Sequence, residues 1–161
     1  MERLLITVMT FLLLGIGTAW AGPLENATAA YRRGDYANAL KIIRGLAEQG
    51  NALGQANLGA MYANGQGVAQ DYAEALKWFR LAAAQGDASA QNSLGFMYAN
   101  GLGMAQDYVR AYMWFNLGAE SGLTNALASR DLALILMSPQ QVALAKQMAN
   151  DCRRRNLKGC D

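Results

Sequence analysis

The chain has 161 residues, with 14 Lys and Arg against 12 Asp and Glu, a net charge of +2. That balance is wrong for a general nucleic-acid or anionic-membrane surface. Histidine is absent from the sequence, which removes His-based triads, the usual zinc and haem ligand sets and any histidine pH switch. Two prolines and a 53% hydrophobic composition rich in alanine point to packed helices.

Met1-Glu2-Arg3 is a short polar start, followed by an apolar run from Leu4 to Gly17 and by Ala19-Trp20-Ala21. Small residues at positions 19 and 21 suit a signal peptidase, so residues 1–21 read as a secretory signal cut between Ala21 and Gly22. The mature chain is then periplasmic or secreted, keeps its +2 charge, and is long enough for one domain with a core. An uncleaved anchor stays open as a second reading, because Thr18 to Trp20 can extend the apolar run. In that case the segment would be the chain's one membrane contact. No cysteine follows the cleavage site, which argues against a lipid anchor.

A shift of 36 residues lays 52–87 on 88–123 with 20 of 36 positions identical. The shared run L-G-x-M-Y-A-N-G-x-G-x-A-Q-D-Y spans Leu58 to Tyr72 and again Leu94 to Tyr108. Fixed-period self-similarity of this kind marks a stacked repeat. Residues 22–51 carry a fainter copy, with the turn shortened to Arg33-Gly34-Asp35, and 124–161 hold a partial unit plus a tail. Within each unit Leu58, Met61 and Tyr62 follow a helical i, i+3, i+4 stripe, and Asn64-Gly65-Gln66-Gly67 breaks it. Asp71 with Glu74 three residues later has capping-box spacing. Ala75, Trp78, Phe79 and Ala82 form the inward stripe of a second helix, in which Trp78 and Trp114 are expected to fill the volume that the alanines leave.

These motifs, L-G-x-x-Y, G-x-G-(V/M)-x-x-D and A-x-x-W, resemble the Sel-one-like repeat, a relative of the tetratricopeptide repeat. The resemblance implies an all-α superhelix, a solenoid of antiparallel helix hairpins, whose first helices line a concave face that binds proteins or peptides. By the tetratricopeptide pattern, groove positions are Leu53, Ala56, Asn57, Ala60 and Asn64 in the first full unit. In the second they are Ser89, Asn92, Ser93, Phe96 and Asn100, and in the partial third Asn125 and Leu132. The lining is small and uncharged, with amides able to bond a peptide backbone. Phe96 reads equally well as an anchor or as packing, and the alanines read better as packing.

Ser138-Pro139-Gln140-Gln141 is a helix start with a serine cap and proline at the first position. The helix after it carries Val142, Ala145, Met148 and Ala149 on one stripe and is expected to close the open end of the stack. Cys152 and Cys160 most simply form a disulfide in an exported chain. A redox dithiol and a metal site remain as alternatives, although the first usually has two residues between its cysteines and the second lacks further ligands. Arg153, Arg154 and Arg155 read as a solvated helix end suited to the helix dipole, with a patch for an anionic partner as the rival.

Family members described as β-lactamase-like or penicillin-binding make an enzyme acting on cell-wall peptide or β-lactam the rival function. None of Ser89, Ser93, Ser121, Ser129 and Ser138 is followed three residues later by lysine, as that serine chemistry requires. Asp71 and Asp107 recur at one turn, which suits capping better than acid–base duty, and Gly65-Gln66-Gly67 lacks the ending of a phosphate loop. The expectation is a non-catalytic module with no cofactor, no metal and no nucleic-acid partner. It would bind a protein or peptide of the cell envelope, with the oligomeric state left open.

Overall fold

Capping residues at regular spacing divide the alanine-rich chain into helices. The computed structural model describes residues 22–160; the expected export segment 1–21 lies outside the described residues. The helices are α1 (Pro23–Arg32), α2 (Tyr36–Glu48), α3 (Ala52–Asn64), α4 (Tyr72–Ala83), α5 (Ala88–Asn100), α6 (Tyr108–Glu120), α7 (Thr124–Ile135) and α8 (Pro139–Arg154). No strand occurs among the described residues. Asp35, Asn51, Asp71, Asp87 and Asp107 each accept a backbone N–H of the first turn that follows, satisfying a donor the helix cannot. Ser138 and Gln141 form a reciprocal capping box. The box expected at Asp71 is made on one side: Asp71 accepts from Ala73 and Glu74, while the Glu74 carboxylate lies 3.4 Å from Lys77 Nζ.

Each helix from α1 to α7 packs on its neighbour in the chain, so first helices (α1, α3, α5, α7) alternate with second helices (α2, α4, α6). The repeated L-G pair has a steric cause. A Cβ built on Gly59 would lie 2.8 Å from the Phe79 ring, and one on Gly95 would lie 2.5 Å from Phe115. Only glycine lets the second-helix ring come this close to the first helix. Between units, buried Gln55 and Gln91 donate from Nε2 to the carbonyls of Ala47 and Ala83, both at 3.3 Å. Each amide oxygen then accepts from the end of its own unit, from Gln85 Nε2 at 2.7 Å and from Ser121 Oγ at 3.2 Å, so each glutamine ties its unit's end to the preceding unit. Arg44 and Arg80 likewise donate to the Tyr62 and Tyr98 hydroxyls, each at 3.3 Å. A buried amide without partners would cost more than it contributes, so these bonds hold the units in register.

One expectation needs correction, and a second gains a location. Trp114 is 2% exposed within the larger core, but Trp78, at the same repeat position, is half-buried and only packs against the smaller α1–α3 core. The last helix covers the end of the stack on its second-helix side: α8 lies on α6 and makes almost no contact with α7. Its Ala145, Ala149 and Cys152 join the core that holds Trp114, which accounts for the difference between the two tryptophans.

Cys152 and Cys160 form a disulfide with Cα atoms 5.2 Å apart. The chain reverses to make it through Asn156 and Leu157, both in the left-handed region (φ 52° and 64°). The arginines beside it have partners within the fold. Arg153 pairs with Glu120 at 3.3 Å and with Asn150, Arg154 pairs with Asp151, and Arg155 Nε donates to the Asp151 carbonyl.

Candidate functional site

Pockets open between consecutive first helices, and their walls recur every 36 residues. The first, about 170 Å³, lies between α1 and α3, with Leu24, Tyr31, Asn57, Ala60 and Met61 among its walls and Ile43 of α2 as its floor. The second, about 320 Å³, lies between α3 and α5; Asn64, Gln70, Asn92, Ser93 and Phe96 line it above Phe79 of α4. The third, about 210 Å³, lies between α5 and α7, where Phe96, Asn100, Tyr108, Leu132 and Leu136 surround Phe115 of α6. Ile43, Phe79 and Phe115 are equivalent positions, as are Leu24, Ala60, Phe96 and Leu132. The pockets thus form one groove along the first-helix face.

Second-unit geometry copies the first. Gln70 Nε2 donates to the Ala63 carbonyl at 2.8 Å and to the Tyr72 hydroxyl at 3.1 Å. Gln106 Nε2 does the same to Ala99 at 2.7 Å and Tyr108 at 3.0 Å. These bonds tie each inter-helix turn to the end of its first helix and hold the tyrosine at the pocket edge. At the other end Tyr31 donates its hydroxyl to Gln66 Oε1 at 2.7 Å, bridging α1 to the next turn.

No Asp, Glu, Lys or Arg lines any of these pockets. Character changes along the groove: amides and a serine dominate the middle pocket, and aromatic and leucine side chains the third. Phe96 forms part of both and is 56% exposed. Asn92 Oδ1 is buried with no hydrogen-bond partner among the described residues, and an acceptor so placed gains most from an incoming N–H.

Of the positions expected from the sequence, Asn57, Ala60, Asn64, Asn92, Ser93, Phe96, Asn100 and Leu132 line these pockets. Leu53, Ala56, Ser89 and Asn125 line none of them. Ala56 is buried in the core, Leu53 is exposed away from the pockets, and Ser89 and Asn125 are exposed in the first turns of α5 and α7. Phe79, Phe115, Gln70 and Tyr108 were not expected in the site. The two phenylalanines fall on the buried stripe of a second helix, so their period reports only core, although one edge of each ring faces the groove. The repeated A-Q-D-Y run was the signal for Gln70 and Tyr108.

The Sel1 repeat family model matches residues 52–87 and 88–123, the two units whose glycine–phenylalanine packing and turn hydrogen bonds coincide. Residues 52–123 are two consecutive Sel1 repeats. The fold of this Sel1-like protein is similar to that of a protective antigen from uropathogenic Escherichia coli described as displaying an SLR fold. The TM-score is 0.79 at 26% identity, over 86% of this chain and 30% of the antigen. It is also similar to a Sel1 repeat protein from Oxalobacter formigenes, with a TM-score of 0.61 at 31% identity over 78% of this chain and 54% of the other. The chain thus spans about a third and about half of these two proteins. No curated protein matches it. Sel1 repeats generally mediate protein–protein interaction.

Proposed function

We propose that the chain is a non-catalytic binding module of the cell envelope, periplasmic or secreted, whose first-helix groove takes an uncharged stretch of an envelope protein or peptide. The observation that carries this reading is the line of three repeat-related pockets without an ionised side chain. A charged ligand would lose its hydration there and gain no counter-charge. An extended peptide could place an aliphatic or aromatic side chain over Phe115 between Phe96 and Leu132, and offer a backbone N–H to Asn92 in the middle pocket. Export is supported by the reading of residues 1–21 and by the disulfide, which persists in oxidising compartments. Among the described residues no helix is long and apolar enough to cross a membrane.

Selection of random peptides on the immobilised full chain tests the proposal. Enriched sequences should be poor in charge and carry an aromatic or large aliphatic residue, and Phe96→Ala should weaken their binding about tenfold, the loss expected for one anchor side chain. Enrichment of acidic or basic peptides, or binding indifferent to Phe96→Ala, would overturn it. Turnover of a chromogenic β-lactam would equally remove the non-catalytic part.

A further inference from the structure

Another cleft, about 420 Å³, shares no residue with the three groove pockets. Its walls include Gln85 after α4, Leu117, Glu120 and Ser121 at the end of α6, and Arg153 and Leu157 of the tail, with buried Gln91 as its floor. Two of these positions break the repeat: Glu120 stands 36 residues after Ala84, and Ser121 36 after Gln85. In the preceding unit the longer Gln85 side chain spans from Gln55 Oε1, at 2.7 Å, to the Gly50 carbonyl, at 3.1 Å. Ser121 bonds Gln91 Oε1 at 3.2 Å, and its short side chain leaves room beyond. The tail wall is no part of the repeat. There Asn156 and Leu157 are consecutive non-glycine residues in the left-handed region. The disulfide holds them, together with their N–H bonds to the Arg153 and Cys152 carbonyls at 2.9 and 3.0 Å. Backbone constrained in this way clusters at ligand clamps.

Unlike the groove, this cleft carries ionised side chains of both signs. Arg153 Nη1 lies 3.3 Å from each Glu120 carboxylate oxygen, and Arg153 also bonds Asn150. A guanidinium has five N–H donors, so some remain for a ligand. Glu120 also accepts from Asn116 Nδ2 at 2.8 Å and keeps lone pairs for a further donor. The pair sums to zero charge, so a simple anion drawn to Arg153 is repelled by Glu120, and a simple cation the reverse. A ligand that carries both signs on one carbon gains at both residues. We propose that the cleft binds the zwitterion of an apolar α-amino acid, with its carboxylate on Arg153, its ammonium on Glu120 and its side chain against Leu117 and Leu157. An amino acid with its charges at opposite ends of a chain would have to fold back on itself to meet so close a pair.

Leucine titrated into the full chain and followed by backbone amide NMR is the test. The Ser121 and Asn156 amides should shift saturably at millimolar leucine. N-acetyl-leucine, leucinamide and ε-aminocaproate should each bind at least about tenfold more weakly, the loss expected when a charge-assisted hydrogen bond is removed. Glu120→Gln should weaken leucine to the same degree. Arg153 also holds the tail, so Ser121→Gln is the cleaner variant. It copies the preceding unit, should keep the circular-dichroism spectrum and melting temperature, and should abolish binding by filling the cleft. Absence of a saturable shift with leucine would overturn the proposal, as would equal binding of the acetylated or amidated form. So would binding that survives Ser121→Gln, or binding that Phe96→Ala removes, which would place leucine in the groove. Failure here leaves the groove reading intact, since no residue of this cleft lies there.

Discussion

Trp78 and Trp114 occupy the same position in two units that share more than half their residues, yet one is half-buried and the other is core. The difference comes from outside the repeat. On α6 the side chains around Trp114 are covered by α8, which contributes Ala145, Ala149 and the disulfide. On α4 the corresponding side remains open, and Lys77 Nζ lies over the Trp78 ring, 5.4 Å from its centroid. Sequence follows this split: Lys77 is exposed, while its counterpart Met113 is 1% exposed. Equal motifs therefore do not carry equal energies in a solenoid, because an end unit is set by whatever packs on it.

Truncation is the most direct way to break the comparison. Trp114→Ala should destabilise by about 3–5 kcal/mol, the range for deleting a buried large side chain. Trp78→Ala should cost roughly half as much, since part of its surface is already hydrated. Urea denaturation of the two variants measures both, and equal losses would show that α8 does not set the difference. Opening the disulfide tests the same cause from the other side. Reduction, or Cys160→Ser, should cost about 2–3 kcal/mol on loop-entropy grounds. It should also raise solvent quenching of Trp114 fluorescence and leave Trp78 unchanged, provided the closed tail holds α8 in place.

The smallest effect expected concerns the degenerate first unit. The Asn38 side chain, then its backbone N–H, hydrogen-bonds the Asp35 carboxylate and lowers its pKa; slight desolvation opposes this and Arg33 assists it. A depressed folded-state pKa stabilises above the unfolded value and is lost as pH falls through the folded one. Acidification below about pH 4 should therefore loosen the start of α2, and Asp35→Asn should remove that part of the pH dependence. Amide exchange at Asn38 and Ala39 reports it, and an unchanged acid profile in Asp35→Asn would exclude this cap as the cause.

Much of the architecture is legible in the residues themselves. The period of 36, the Asp caps, the glycines after Asn64 and Asn100, and the serine–proline start of α8 are local features, and each acts within a few residues of itself. The groove was legible where its residues differ between units. Phe96 stands where the preceding unit has Ala60, and Asn92 where it has Ala56, so a substitution in an otherwise copied stripe marks a special position. Phe79 and Phe115 escaped notice because helical period distinguishes buried from exposed, not core from pocket floor. The destination of α8 also escaped, although α6 is apolar around most of its circumference from Ala111 to Leu117, which calls for cover on more than one side.

By itself, then, the sequence determined the helices, their order, their caps and the cysteine pair, because hydrogen-bond satisfaction and side-chain period are short-range. Only the tertiary structure decided which tryptophan is core, where the last helix rests and which first-helix flank stays bare. Those outcomes depend on competition between surfaces far apart in the chain. The Met113–Trp114 side of α6 took the apolar stripe of α8, and Ile135 was left facing water.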